Sequence, residues 1–232
     1  MRLFRFCRRA VDSYVGLGAC LALFLRLSVV AMAASVGAAA LAPWSAGLAQ
    51  VVDALAEAMF GVAWLRFVAL GEMPAPPVHV RLGRRELTFA LFWLVARSFV
   101  GFPAVMLGQA LGLATGVEAG MLLPPLLVVA HALMGVFFLL PAEVALEAPG
   151  RSRWPVPDMV MQGGLAVGVG LVVAWAPAAA MVAALQSAFP AAPGPLGHAV
   201  AHLPVVVPQY LGIAAVTGYL ALVWRSLLAE SG

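Results

Sequence analysis

Apolar residues run along this chain in long blocks, and polar residues gather in the short breaks between them. Six blocks are long enough to cross a hydrocarbon layer of about 30 Å at about 1.5 Å of helical rise per residue. They cover residues 15–42, 47–71, 87–113, 119–146, 159–188 and 198–228. The breaks carry turn and helix-breaking residues: APWSAG at 42–47, MPAPPVHVRLG at 73–83, GLATG at 112–116, EAPGRSRWPVP at 147–157 and PAAPGP at 190–195. Most blocks exceed the minimum of about 20 residues, so tilted helices are expected. The pattern predicts an all-α fold, a polytopic membrane bundle of about six transmembrane helices. It forms a single integral membrane domain over residues 1–232, with connections too short to hold a soluble domain.

Arginine orients the bundle. Arg2, Arg5, Arg8 and Arg9 precede the first block, Arg81, Arg84 and Arg85 the third, and Arg151 and Arg153 the fifth, while Arg225 closes the last. The intervening breaks carry none, and one of them holds Glu118. By the positive-inside rule this alternation predicts both termini in the cytoplasm. Residues 1–12, MRLFRFCRRAVD, alternate apolar and basic residues. They form either an interfacial helix on an anionic leaflet or a plain topogenic tail.

Composition agrees. Of 232 residues 64% are hydrophobic and 10% charged, with mean hydropathy +1.02. Soluble domains carry about 25% charged residues, so this chain's main solvent is lipid. Every basic residue is arginine, in Ala/Gly/Pro-rich text. That points to a GC-rich bacterial genome and to the inner membrane. The net charge of +3 is confined to a few loops and leaves no nucleic-acid footprint. Cys7 and Cys20 fall near the expected cytoplasmic end, where disulfides are not expected.

Charges inside the apolar blocks are the candidate chemistry. Arg97 stands 11 residues past Glu86, roughly 16 Å deep, and Arg26 is similarly deep in the first block. An arginine at that depth costs about 2.5–3.5 kcal/mol on insertion scales unless it is paired or hydrated. The second block supplies acids at depth, Asp53 and Glu57, four apart and so on one helix face. Arg26, Arg97, Asp53 and Glu57 therefore form either a buried charge network that fixes helix register or an anion contact. Arg66, Glu72 and Glu143 make a polar cluster at the expected cytoplasmic end.

His131, in the middle of the fourth block, is a candidate metal or cofactor ligand; the plainer reading is a helix–helix hydrogen bond. His198 and His202 have a zinc-compatible spacing but no evident third ligand. His79 lies in a loop. Pro124, Pro125, Pro177, Pro204 and Pro208 are expected to kink their helices. GGLAVGVG at 163–170 suits close helix packing. Trp64, Trp154 and Trp224 fall near the inner boundary, as an aromatic belt requires. No nucleophile elbow, phosphate loop or cysteine metal cluster is present.

Three stretches carry a resemblance. WLRFVALGE (64–72) is followed by a basic, proline-containing loop and RREL (84–87). FLLPAEVAL (138–146) precedes a loop with a tryptophan and a glycine-rich helix, and GYLALVWRSLL (218–228) ends the last block. This order resembles a group of six-span, mainly alphaproteobacterial inner-membrane proteins related to the membrane domain of glycerophosphodiester phosphodiesterases. Arg66, Glu72 and Pro141 match the group; Leu65 stands where it often has histidine and Gly135 where it commonly has arginine. The resemblance implies the six-span fold and no reaction.

The expectation is a non-enzymatic multi-pass inner-membrane protein without a cofactor, an accessory or assembly subunit of a larger membrane complex. Its partners would be membrane lipids and other integral membrane subunits. The alternative is a carrier or binding protein for a lipid or small anion that uses its midplane arginines.

Overall fold

The computed structural model describes residues 2–73, 80–146 and 156–230. All regular structure among them is helical: α1 (Arg2–Ala19), α2 (Leu21–Leu41), α3 (Ala46–Leu70), α4 (Arg84–Thr115), α5 (Ala119–Met134), a 3-10 stretch (Gly135–Phe138), α6 (Leu139–Leu146), α7 (Val156–Ala188) and α8 (Pro195–Glu230). Five spans are long and apolar enough to cross a membrane: Leu21–Leu41, Arg84–Thr115, Ala119–Leu146, Gly164–Ala188 and Pro195–Ser226. The remaining expected block, α3, has 25 residues and brings Asp53, Glu57 and Arg66 into the bundle. The chain is a multi-pass helical membrane bundle.

Helix ends fall where the turn chemistry places them. Ser45 caps α3, accepting the Leu48 amide at 3.2 Å, and Gly71 ends it at φ 71°. Glu86 accepts the Gly83 amide at 2.8 Å to start α4, and Gly116 ends α4 at φ 72°. Both glycines occupy the left-handed region that side chains avoid. The short connections 42–45, 116–118 and 189–194 fold successive helices back on one another, so these three turns share one end of the bundle.

Two blocks are divided. The first breaks at Cys20, which leaves helical geometry (φ −115°, ψ 27°) after the glycine-rich run Gly16–Gly18. The helix before the break therefore extends to Ala19, well past the interfacial segment expected at 1–12. It buries Ala10, Ser13 and Leu17, and the Tyr14 hydroxyl donates to the Ala174 carbonyl of α7 at 2.6 Å. Phe4, Val11 and Val15 face outward.

The fourth block narrows into the 3-10 stretch where it crosses α7. A Cβ on Gly168 would stand 2.0 Å from the Ala132 carbonyl oxygen, and one on Gly135 would stand 2.9 Å from the Gly168 Cα. Backbone lies against backbone here, which is the close packing that GGLAVGVG implies. Helices α4, α5, α7 and α8 continue through their internal prolines.

Helix α8 is the hub. In its membrane-length window 78% of residues are buried, against 28–33% for the other spans. Around it pack Trp64, Phe60 and Phe24, with Phe60 and Trp64 stacked at 6.0 Å and Tyr210 edge-on to Phe60 at 5.4 Å.

Candidate functional site

Two turns of α3 carry the buried charge. Glu57 is 3% exposed and receives three donors from two other helices. Its Oε2 accepts Trp93 Nε1 of α4 at 2.8 Å and Arg97 of the same helix at 2.6 Å. Its Oε1 accepts Gln209 Nε2 of α8 at 3.0 Å. Trp93 and Arg97 are four residues apart, so one face of α4 presents both donors to a single carboxylate. The pair satisfies most of what burying a carboxylate demands, a counter-charge and hydrogen bonds.

Asp53, one turn away, is held differently. Gln209 Nε2 approaches its oxygens at 3.3 and 3.5 Å, longer than an ordinary N–H···O bond of about 2.9–3.0 Å. Among the described residues no cationic nitrogen lies within 4.0 Å of it. His202 belongs to the same region of α8, and its Nε2 is buried without a hydrogen-bond partner among the described residues.

These groups line a cleft of about 520 Å³ between α3, α4, α5, α7 and α8. His131 lines it from α5. Its Nδ1 lies 2.8 Å from the Leu127 carbonyl, an acceptor only, so Nδ1 carries the proton. Its ring stacks on Trp175 of α7 at 4.6 Å and lies parallel to Phe138 at 5.9 Å.

Helix α7 lends the cleft a stripe at helical spacing: Leu171, Trp175, Ala178, Ala179, Val182, Ala183 and Gln186. Burial falls along it. Leu171 is 1% and Ala178 5% exposed, Val182 is half-buried, and Ala183 and Gln186 are exposed. The cleft thus deepens from the end that holds 42–45, 116–118 and 189–194. Arg97 is 49% exposed although it sits in mid-helix, and it is one of the residues that line the cleft.

A second cleft, about 540 Å³, enters from the opposite end and is lined by Asp12, Ser13, Trp64, Gly218 and Arg225 among others. On α3, Glu57 lines the first cleft and Trp64 the second; on α8, Val216 lines the first and Gly218 the second. Seven residues of helix, about 10 Å, separate the two along α3.

Of the residues singled out from sequence, Arg97, Glu57, Asp53 and His131 meet in one cleft. The anion contact expected of Arg97 is taken by a carboxylate of the chain itself. Arg26, half-buried on α2, is not among the cleft-lining residues. Arg66 pairs with Glu72, its Nε donating at 2.7 Å, and a second nitrogen donates to the Ala145 carbonyl at 2.8 Å. It thus closes the carboxyl end of α6, two residues from Glu143. His198 turns its Nδ1 to the Gly194 carbonyl at 3.0 Å, and no three His, Cys, Asp or Glu side chains among the described residues are placed to share a metal. His79, Arg151, Arg153 and Trp154 lie outside the described residues.

Sequence reasoning passed over Trp93, Trp175, Gln186 and Gln209, and weighed His202 only for zinc. One signal was readable: His202 and Gln209 are seven apart and therefore on one face of the last block. Family models, curated proteins and solved structures were compared with the chain, and none matches.

Proposed function

We propose that this protein is a carrier or binding protein for a small solute, with its site inside the membrane between α3, α4, α5, α7 and α8. One observation carries the reading: two carboxylates, an arginine, two histidines and two glutamines from five helices converge on one open cleft. A bundle that served only as a packing partner would gain nothing from that space, because polar groups at this depth are costly. The volume lies in the range of about 300–1,000 Å³ typical of small-molecule sites. The second cleft supports passage as well as binding. It approaches the first from the other end, and on α3 Phe60 stands between the residues that line the two.

Binding fits better than catalysis. The lining contains no serine, threonine, cysteine or lysine nucleophile, and Glu57 is committed to Arg97, Trp93 and Gln209. The arginine alternation supports a bacterial inner-membrane location with both termini cytoplasmic. The first cleft, between α3, α4, α5, α7 and α8, would then open to the outside. Exposed Phe99, Phe102 and Met106 on α4 suit lipid tails and a partner subunit equally, and the open cleft is what favours the carrier reading.

Gentle solubilisation of native membranes, a native gel and mass spectrometry of the resulting band test this. A lone chain that carries a small molecule is expected. A band of fixed stoichiometry with other subunits and no small molecule would return the protein to the accessory-subunit reading.

A further inference from the structure

We infer that the solute of this cleft is an organic monocation, with Asp53 as its counter-charge and an apolar or aromatic body lying against α7. The inference rests on the reading of the cleft as a ligand site. It comes from the charges that the cleft matches and the one that it leaves over.

Glu57 and Arg97 cancel each other at 2.6 Å. Asp53 is not matched in this way: it has Gln209 at 3.3 and 3.5 Å, the Ser35 hydroxyl beside it, and no cationic nitrogen within 4.0 Å among the described residues. With His131 and His202 neutral, the ionised cleft carries one excess negative charge. A lone charge in a low-dielectric interior is met by a proton or by an incoming cation. An anion would be repelled by Asp53 and would have to take Arg97 from Glu57, stranding a carboxylate that is 3% exposed.

The walls suit the rest of such a solute. Trp93, Trp175 and Phe138 bring aromatic surface to the lining, and aromatic faces attract ammonium groups. Val182, Ile213 and Val216 offer apolar surface beside them. A compact ammonium group at Asp53 leaves room for an apolar body along the stripe from Leu171 to Val182.

The full chain in lipid nanodiscs, titrated calorimetrically with three probes of similar size, tests the inference. The probes are benzyltrimethylammonium, benzyl alcohol and benzoate, with empty nanodiscs as the blank. The cation is expected to bind at least roughly tenfold tighter than either of the others, as one added ion pair implies. Asp53→Asn is expected to lose about that factor for the cation and to leave benzyl alcohol unchanged. Equal or tighter binding of benzoate or benzyl alcohol overturns the inference while the site stands. So does a folded Asp53→Asn protein with undiminished cation affinity. Absence of binding by all three probes to folded protein overturns the ligand-site reading, and the cation with it. If Asp53→Asn does not fold, the ranking of the three probes on the parent chain decides.

Discussion

Replacing Arg97 by leucine removes the cation that pairs with Glu57 among the described residues and leaves the carboxylate where it is. Breaking a buried ion pair costs about 3–5 kcal/mol, because the surviving charge is left desolvated. Two features of this site reduce that figure. Arg97 is 49% exposed and lines an open cleft, so the pair is not fully desolvated before the change. Glu57 also keeps Trp93 Nε1 at 2.8 Å and Gln209 Nε2 at 3.0 Å. We therefore expect a loss of about 1–3 kcal/mol, the remainder after two retained hydrogen bonds of about 1 kcal/mol each. At this chain length that corresponds to a fall in Tm of roughly 2–12 °C. Intrinsic tryptophan fluorescence during thermal melting in mild detergent measures it. Because the cost comes from the stranded acid, the double variant Arg97→Leu/Glu57→Leu should recover most of it, with a coupling of about 1.5 kcal/mol or more. An Arg97→Leu protein that melts within about 1 °C of the parent, or a double variant that melts at the sum of the two singles, would refute the argument.

The glycine contacts predict a contrast within a single helix. Gly168→Ala drives a Cβ to 2.0 Å from the Ala132 carbonyl and should cost about 1–3 kcal/mol, whereas Gly164→Ala, whose nearest atom is Val136 Cβ at 3.9 Å, should melt like the parent. Tyr219→Phe deletes the hydroxyl that donates to the Val167 carbonyl at 2.8 Å and should lower stability by about 1 kcal/mol in the same melt. His131→Ala removes the ring stacked on Trp175 at 4.6 Å and should change tryptophan emission and cost about 0.5–1.5 kcal/mol; an unaltered spectrum would deny the stack. With Cys7 and Cys20 replaced, Ala183→Cys and Gln186→Cys should react with a membrane-impermeant thiol reagent from the side of the 189–194 turn, while Leu171→Cys stays protected. Equal labelling of the three would remove the open cleft.

The chain's one-dimensional pattern was enough to place its helices. Burying backbone amides in lipid demands continuous helix, so the length of each apolar block states where a span runs. Five expected blocks reappear with ends displaced by a few residues, fixed at Ser45, Gly71, Glu86 and Gly116 by groups that act on their own neighbours. The first block departs more, because a local break at Cys20 is invisible to a hydropathy sum. Depth was also legible: a charge in mid-block must find a partner, so Arg97, Asp53 and Glu57 stood out as candidates without any coordinates.

Which partner each one finds is another matter. Arg97 and Glu57 are 40 residues apart in sequence, and Gln209 is 152 from Glu57. Their meeting depends on the rotation of α3, α4 and α8 about their own axes, which is set by packing. The approach of Gly168 to Ala132 and the aromatic layer around Phe60 contribute to it. Arg26, equally deep by count, stays outside the cleft because its helix packs on the far side of α3. The sequence alone determined that this chain lives in a membrane with charge at its centre. Only the tertiary structure decided that one pair of charges closes on itself, that Asp53 is left over, and that the space beside it is open. Those outcomes depend on the angular settings of separate helices, and no local stretch of the chain encodes them.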